Sequence, residues 1–167
     1  MKKLFIFALV MSLSSCSNNI VKPETVSATD EVATVTLIKP HNFADLDTGN
    51  FGVQSNFDQR VAKELAEALS DHFKETDLII DITFTNIDLA GSTRHNMQEI
   101  RVLRDIHIPR MSFEYEIKDT SGFVKLADTV DIKDMNYLGK RLFGLKANDL
   151  LGYDKRMLIE YFKKVIE

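Results

Sequence analysis

The sequence predicts an α+β domain: a mostly antiparallel sheet of four or five strands with two helices packed against it. Three observations predict it. Residues 78–89, closed by Ala90 and Gly91, form the most apolar stretch after the N-terminus and are rich in β-branched and aromatic residues. Met111, Phe113, Tyr115 and Ile117 alternate strictly with Ser112, Glu114, Glu116 and Lys118, the pattern of a half-buried strand. Two further stretches, from Ser55 to about Lys74 and from about Tyr153 onward, place apolar residues at helical spacing.

The chain has 167 residues, which suits one domain. Its 44% hydrophobic and 28% charged residues are ordinary for a folded protein. A formal charge of -4 argues against a nucleic-acid partner, which calls for a basic face. With one cysteine, no intramolecular disulfide is possible.

The N-terminus carries the most specific signal. Lys2 and Lys3 precede the apolar run Leu4–Met11, as in a secretory signal peptide. Leu13-Ser14-Ser15-Cys16 resembles the lipobox of bacterial lipoproteins. The resemblance implies cleavage before Cys16, a diacylated thiol and a mature chain that starts there. Several acyl chains on one residue anchor stably where one is marginal. Ser17, standing where aspartate would retain the protein at the inner membrane of enteric bacteria, favours the outer membrane. The mature chain would hold 19 basic against 25 acidic residues. Its Ser-, Asn- and Thr-rich start reads as a flexible tether over residues 16–31, with the folded domain over 32–167.

Residues 32–38 read as a short strand stopped by Lys39-Pro40. Asp45 and Asp47 imitate the opening of a calcium loop, but Asn56 stands where the bidentate Glu belongs, so a turn is expected. Ser55 and Asp58 resemble a capping box. Phe57, Val61, Leu65, Leu69 and Phe73 then make a buried stripe, and Asp58, Lys63, Glu64, Glu67, Asp71 and Lys74 are assigned to water. In the strand over 78–89, Leu78, Ile80, Ile82 and Phe84 share one face. Ile79, Ile87 and Leu89 weight the other, which predicts a sheet covered on both sides. Residues 100–106 read as a short strand or edge segment. Asp119–Gly122 is a turn signal that makes 111–132 a hairpin. Residues 140–152 read as a loop or short helix. In the last helix Met157, Leu158, Tyr161, Phe162, Val165 and Ile166 suit packing on a sheet, preferred over a membrane-lying helix because the charges Lys155, Arg156, Glu160, Lys163, Lys164 and Glu167 only modestly favour basic.

Val35-Thr36-Leu37 with Pro40, Phe43-Ala44-Asp45, Asn86–Gly91, Ile100-Arg101-Val102, Pro109-Arg110, Asp134–Leu138 and Tyr153–Leu158 with Tyr161-Phe162 follow one another along the chain. In that order they resemble the motifs of the DUF3016 family of bacterial exported proteins. The resemblance covers nearly all of the expected domain. Asp154 stands where the family commonly has Glu, and Tyr161 where it commonly has Trp; both keep the chemical character. The family has no assigned function and implies no catalytic residues.

No GxSxG, Walker, HExxH or CxxC motif occurs. His41, His72, His95 and His107 lack metal-ligand spacing, so neither metal nor cofactor is expected. Arg94, Arg101, Arg104 and Arg110 form a local basic cluster. They would bind an anion or glycan through bidentate contacts, or else pair with Asp88, Asp131 and Asp134 to fasten loop ends; pairing is the preferred reading. The expectation is an outer-membrane lipoprotein facing the periplasm, anchored at Cys16, acting as a non-enzymatic binding or accessory module with an envelope protein as partner. The alternatives are an anion or glycan binder using the arginines, or a hydrolase whose Asp88, Asp131 and Asp134 converge.

Overall fold

The computed structural model describes residues 24–47, 54–94, 100–140, 142, 149 and 151–166, without the side chains of residues 54, 55, 94 and 100. The signal-like segment, Cys16 and His95 lie outside the described residues, as does most of 141–150. The elements are β1 (Thr25–Asp30), β2 (Ala33–Ile38), α1 (Gln54–Phe73), β3 (Leu78–Asp88), β4 (Ser92–Arg94), β5 (Ile100–Val102), β6 (Arg110–Asp119), β7 (Val124–Lys133) and α2 (Gly152–Ile166). Five strands form one sheet in the order β1-β2-β3-β6-β7, and β4 and β5 form a separate ribbon. Within the described five-stranded sheet β2 and β3 are the one parallel pair of strands; α1 makes the crossover between them. The predicted α+β class, mostly antiparallel with two packed helices, is the architecture observed.

Two expectations need correction. Residues 25–30, read as tether, form β1. An edge strand needs little apolar weight, and Val26 alone is buried there. The central strand is covered on one face, not both. Ile80, Ile82 and Phe84 share one buried face, as predicted, with Leu78 half-buried. The pairing with β6 then slips between Phe84 and Asn86. Such a bulge inserts an extra residue and reverses the alternation. Ile87 and Leu89 therefore return to the face already occupied by Phe84 and are buried there. The opposite face carries Asp81, Thr83, Glu114 and Glu116, where Lys118 bridges Asp81 and Glu116 at 2.8 Å each. A shallow depression of about 440 Å³ crosses this polar face.

The core lies between the inner face and both helices. Val61, Leu65, Leu69 and Phe73 of α1 are buried in one core with Val26, Val35 and Leu37, as the stripe predicts, and Phe57 packs against it half-buried. Asp58 departs from its assignment to water and is 1% exposed. On α2, Phe162 stacks on Phe113 at 6.0 Å and meets Tyr115 edge-on at 5.2 Å. Core packing thus accounts for the α2 stripe. Among the described residues no helix is long and apolar enough to cross a membrane.

Candidate functional site

The sheet has two unlike ends. At one, β3 runs out at Asp88, β6 starts at Arg110, β7 stops at Lys133 and α2 starts at Gly152. The loops that converge here hold a buried polar network.

Its centre is the run Asp154-Lys155-Arg156 in the first turn of α2. Successive helical residues point about 100° apart, so three charges in a row cannot all share the narrow water-facing side of a packed helix. All three are buried, and each reaches a different element. The Asp154 carboxylate accepts from the Ala90 N–H at 3.1 Å, tying α2 to the end of β3. Lys155 Nζ donates to Glu64 on α1 at 2.8 Å and to Asp149 at 2.9 Å. Arg156 donates to Asp134 at 3.0 Å, to the Tyr137 carbonyl at 3.1 Å and to the Lys140 carbonyl at 3.0 Å. Its guanidinium also lies 5.2 Å from the Tyr153 ring centroid, a cation–π contact. Glu64, assigned to water, is instead half-buried and held by Lys155 and Arg60, and the partners of Lys155 and Arg156 lie in other segments.

A second brace holds the 100–109 loop. The Tyr137 hydroxyl donates to the Arg104 carbonyl at 2.7 Å and accepts from the Arg104 N–H at 3.0 Å. Arg101, with its side chain 6% exposed, makes a bidentate pair with Asp45 at 2.8 and 3.0 Å. The same guanidinium stands 3.1–3.2 Å from the carbonyls of Leu89, Ala90 and Gly91. Gly91 makes this wrap possible. Its φ is +85°, and a Cβ there would stand 2.7 Å from the Val102 carbonyl oxygen.

The electrostatics follow from burial and partners. Burial pushes the Asp154 carboxyl up to about 7, against the pull of the Ala90 N–H and of Arg101. Its second oxygen has no hydrogen-bond partner among the described residues. Asp134 also feels burial, but Lys140, the Asn136 N–H and Arg156 outweigh it and hold the carboxyl below its ordinary value. Burial likewise opposes the charged form of Glu64, and Lys155 and Arg60 more than compensate.

The predicted site residues are placed as follows. Arg101 turns inward and is occupied by Asp45 and three carbonyls. Arg110 pairs with Asp88 at 3.4 Å on the surface. Arg104 is exposed and held through its backbone, and the Arg94 side chain lies outside the described residues. The expected pairing of an arginine with Asp88 is met at Arg110, whereas the loop-fastening Arg101 takes Asp45 in place of Asp88, Asp131 or Asp134. Asp134 is taken instead by Arg156 and Lys140. Asp131 and Asp134 line a depression of about 320 Å³ between β7 and α2. Asp88 stands two strands away on Arg110, so the three carboxylates do not meet as the hydrolase alternative requires. Among the described residues no group of three or more His, Cys, Asp or Glu is placed to hold a metal. The bracing roles of Lys155 and Arg156 escaped the sequence reading, although one signal was present: Asp154 falls on the stripe of Leu158 and Phe162, where a charge can only be buried.

Fold and site define a small α+β domain whose long loops are braced by buried ion pairs. A family model described as "Protein of unknown function (DUF3016)" matches residues 31–164, and the chain belongs to that family. No curated protein and no solved structure matches it.

Proposed function

We propose that the chain is an outer-membrane lipoprotein, anchored through Cys16 and facing the periplasm, that serves as a non-enzymatic binding or accessory module of the cell envelope. One observation carries the reading: basic residues, apolar run, small residues and cysteine follow one another at the N-terminus in lipobox order. The geometry of the site supports a binding rather than a chemical role. Arg101, Lys155 and Arg156 are engaged with Asp45, Glu64 and Asp134 to hold loops in place. A network of this kind displays a surface in a fixed shape.

Lipidation is tested by metabolic labelling with a fatty-acid probe. The native chain takes up label and Cys16→Ala does not; a native chain without label sinks the anchor. The accessory role is tested by in-cell photo-crosslinking from exposed positions of residues 100–109 and of the polar sheet face. A discrete protein adduct supports the role and identifies the partner. A folded, lipidated protein that yields no adduct from either surface speaks against it.

A further inference from the structure

Large apolar side chains are exposed at the braced end of the sheet. Ile106 is 70% exposed and Met135 72%, with Leu103 at 41% and Leu138 at 44%. They sit on two loops, 103–109 and 134–139. The Tyr137–Arg104 hydrogen bonds join these loops, as does the Asp134 N–H donated to the Pro109 carbonyl at 3.2 Å. Here the buried ion pairs and Tyr137 hold the backbone, and the apolar groups stay in solvent.

The path of the chain indicates what this end faces. Thr25, at the start of β1, lies opposite Ile38 at the end of β2. β2 runs parallel to β3, with Leu37 beside Phe84. The chain therefore enters the domain at the end of the sheet where β3 runs out and the two loops lie. The Lys39 N–H clamps the entry point by donating to the Glu24 carbonyl at 2.7 Å. Only residues 17–23 separate Glu24 from Cys16. Fully extended, that stretch reaches ~28 Å, and as a random coil roughly 16 Å. A short leash tied to this end brings this end to the surface that holds Cys16.

We propose that the Leu103–Ile106 and Met135–Leu138 loops form a membrane-contacting tip that seats in the headgroup layer of the bilayer carrying the lipid anchor. The inference rests on the lipidation of Cys16. The occupant is a lipid surface because entry point, leash length and apolar loops coincide at one end. The exposed charges at this end carry both signs, Arg104 and Lys133 with Asp105, and Arg110 paired to Asp88, so apolar contact leads and anionic lipid adds little. A leash this short also holds the tip at ~millimolar effective concentration, so a contact too weak to recruit a free domain is still populated.

The test uses the full lipidated chain in vesicles of phosphatidylethanolamine and phosphatidylglycerol with brominated acyl chains. Single cysteines are introduced as Ile106→Cys, Met135→Cys and, at the opposite end, Phe123→Cys, and each carries a polarity-sensitive fluorophore. All three parent residues are about 70% exposed, so unchanged melting is expected and is measured first. Mass analysis then reports the acyl chains on Cys16. With Cys16 acylated, the proposal expects bromine quenching several-fold stronger at positions 106 and 135 than at 123. Equal or absent quenching at all three overturns the tip while leaving the anchor intact. An unacylated Cys16 overturns both. Shielding at 106 in native membranes without quenching in protein-free vesicles assigns the tip to a protein partner and also overturns the membrane contact.

Discussion

At one end of the sheet the chain reverses through short local turns: Asp30 to Ala33, Phe73 to Leu78, and Asp119 to Val124. The last is held by its own residues, for the Asp119 carboxylate accepts from the N–H groups of Ser121 and Phe123. At the other end, the chain between Ile38 and Gln54, between Asp88 and Arg110 and between Lys133 and Gly152 runs much longer. There the partners come from afar: Arg101 with Asp45, Arg156 with Asp134, and Ala90 with Asp154. Two glycines condense the difference. Gly91 and Gly122 have nearly the same backbone angle, +85° and +86°. A Cβ at Gly122 meets nothing within 4 Å, whereas one at Gly91 meets the Val102 carbonyl at 2.7 Å. Local turns need only a permissive residue; the braced end needs empty space as well.

The largest effect is expected from Arg156→Ala. It removes one of the two cations on Asp134, which keeps Lys140 and the Asn136 N–H, and leaves the Tyr137 and Lys140 carbonyls without their donor, at a cost of about 2–4 kcal/mol. Urea unfolding measures it, and a loss below about 1 kcal/mol would mean that the braced end gains nothing from this pair. Gly91→Ala combines left-handed strain of about 1–2 kcal/mol with the clash, so it should exceed Gly122→Ala, which meets strain alone. Equal costs from thermal melts would erase the contrast between the ends.

Asp154 gives the comparison a pH dependence. Its folded value of about 7 lies above the ordinary 3.8, so the stability linked to it is full below about 3.8 and is lost as pH rises through about 7. Glu64 and Asp134 run the other way: their lowered values give stability present above about 4.5 and 3.8 that falls away in acid. Asp154→Asn should remove the neutral-range loss, on the order of a few kcal/mol, and keep the acid-range loss. Urea midpoints of the native chain and Asp154→Asn compared between about pH 5 and about pH 8 check this; an equal change in both would show that Asp154 does not titrate there.

The smallest expected effect is that of Tyr137→Phe, about 0.5–1.5 kcal/mol, because the freed backbone groups belong to the exposed Arg104 and turn to water. Its consequence should be local. Amide exchange should quicken across 103–109, while the β6–β7 turn keeps its protection. Uniform acceleration would mean that the two ends unfold together.

How far the sequence was legible follows from the range of the forces. The β6–β7 hairpin, both helical stripes and the Gly91 stop rest on alternation, period and backbone freedom within a few residues, and they were readable. The bulge at residue 85 was not, because one inserted residue reverses which face Ile87 and Leu89 occupy, and only the partner strand reveals it. Asp45 and Arg101 stood in plain view as a half-formed calcium motif and one arginine of four. Nothing local indicates that residues 56 positions apart will face each other.

The sequence by itself determined the α+β class, the order of the main elements and a lipobox-like N-terminus, since each is written in contiguous residues. The tertiary structure decided which sheet face stays wet, which charges are buried and which end gathers the long loops. Those outcomes depend on pairing between distant segments, where burial makes a charge costly unless its partner arrives from elsewhere in the chain.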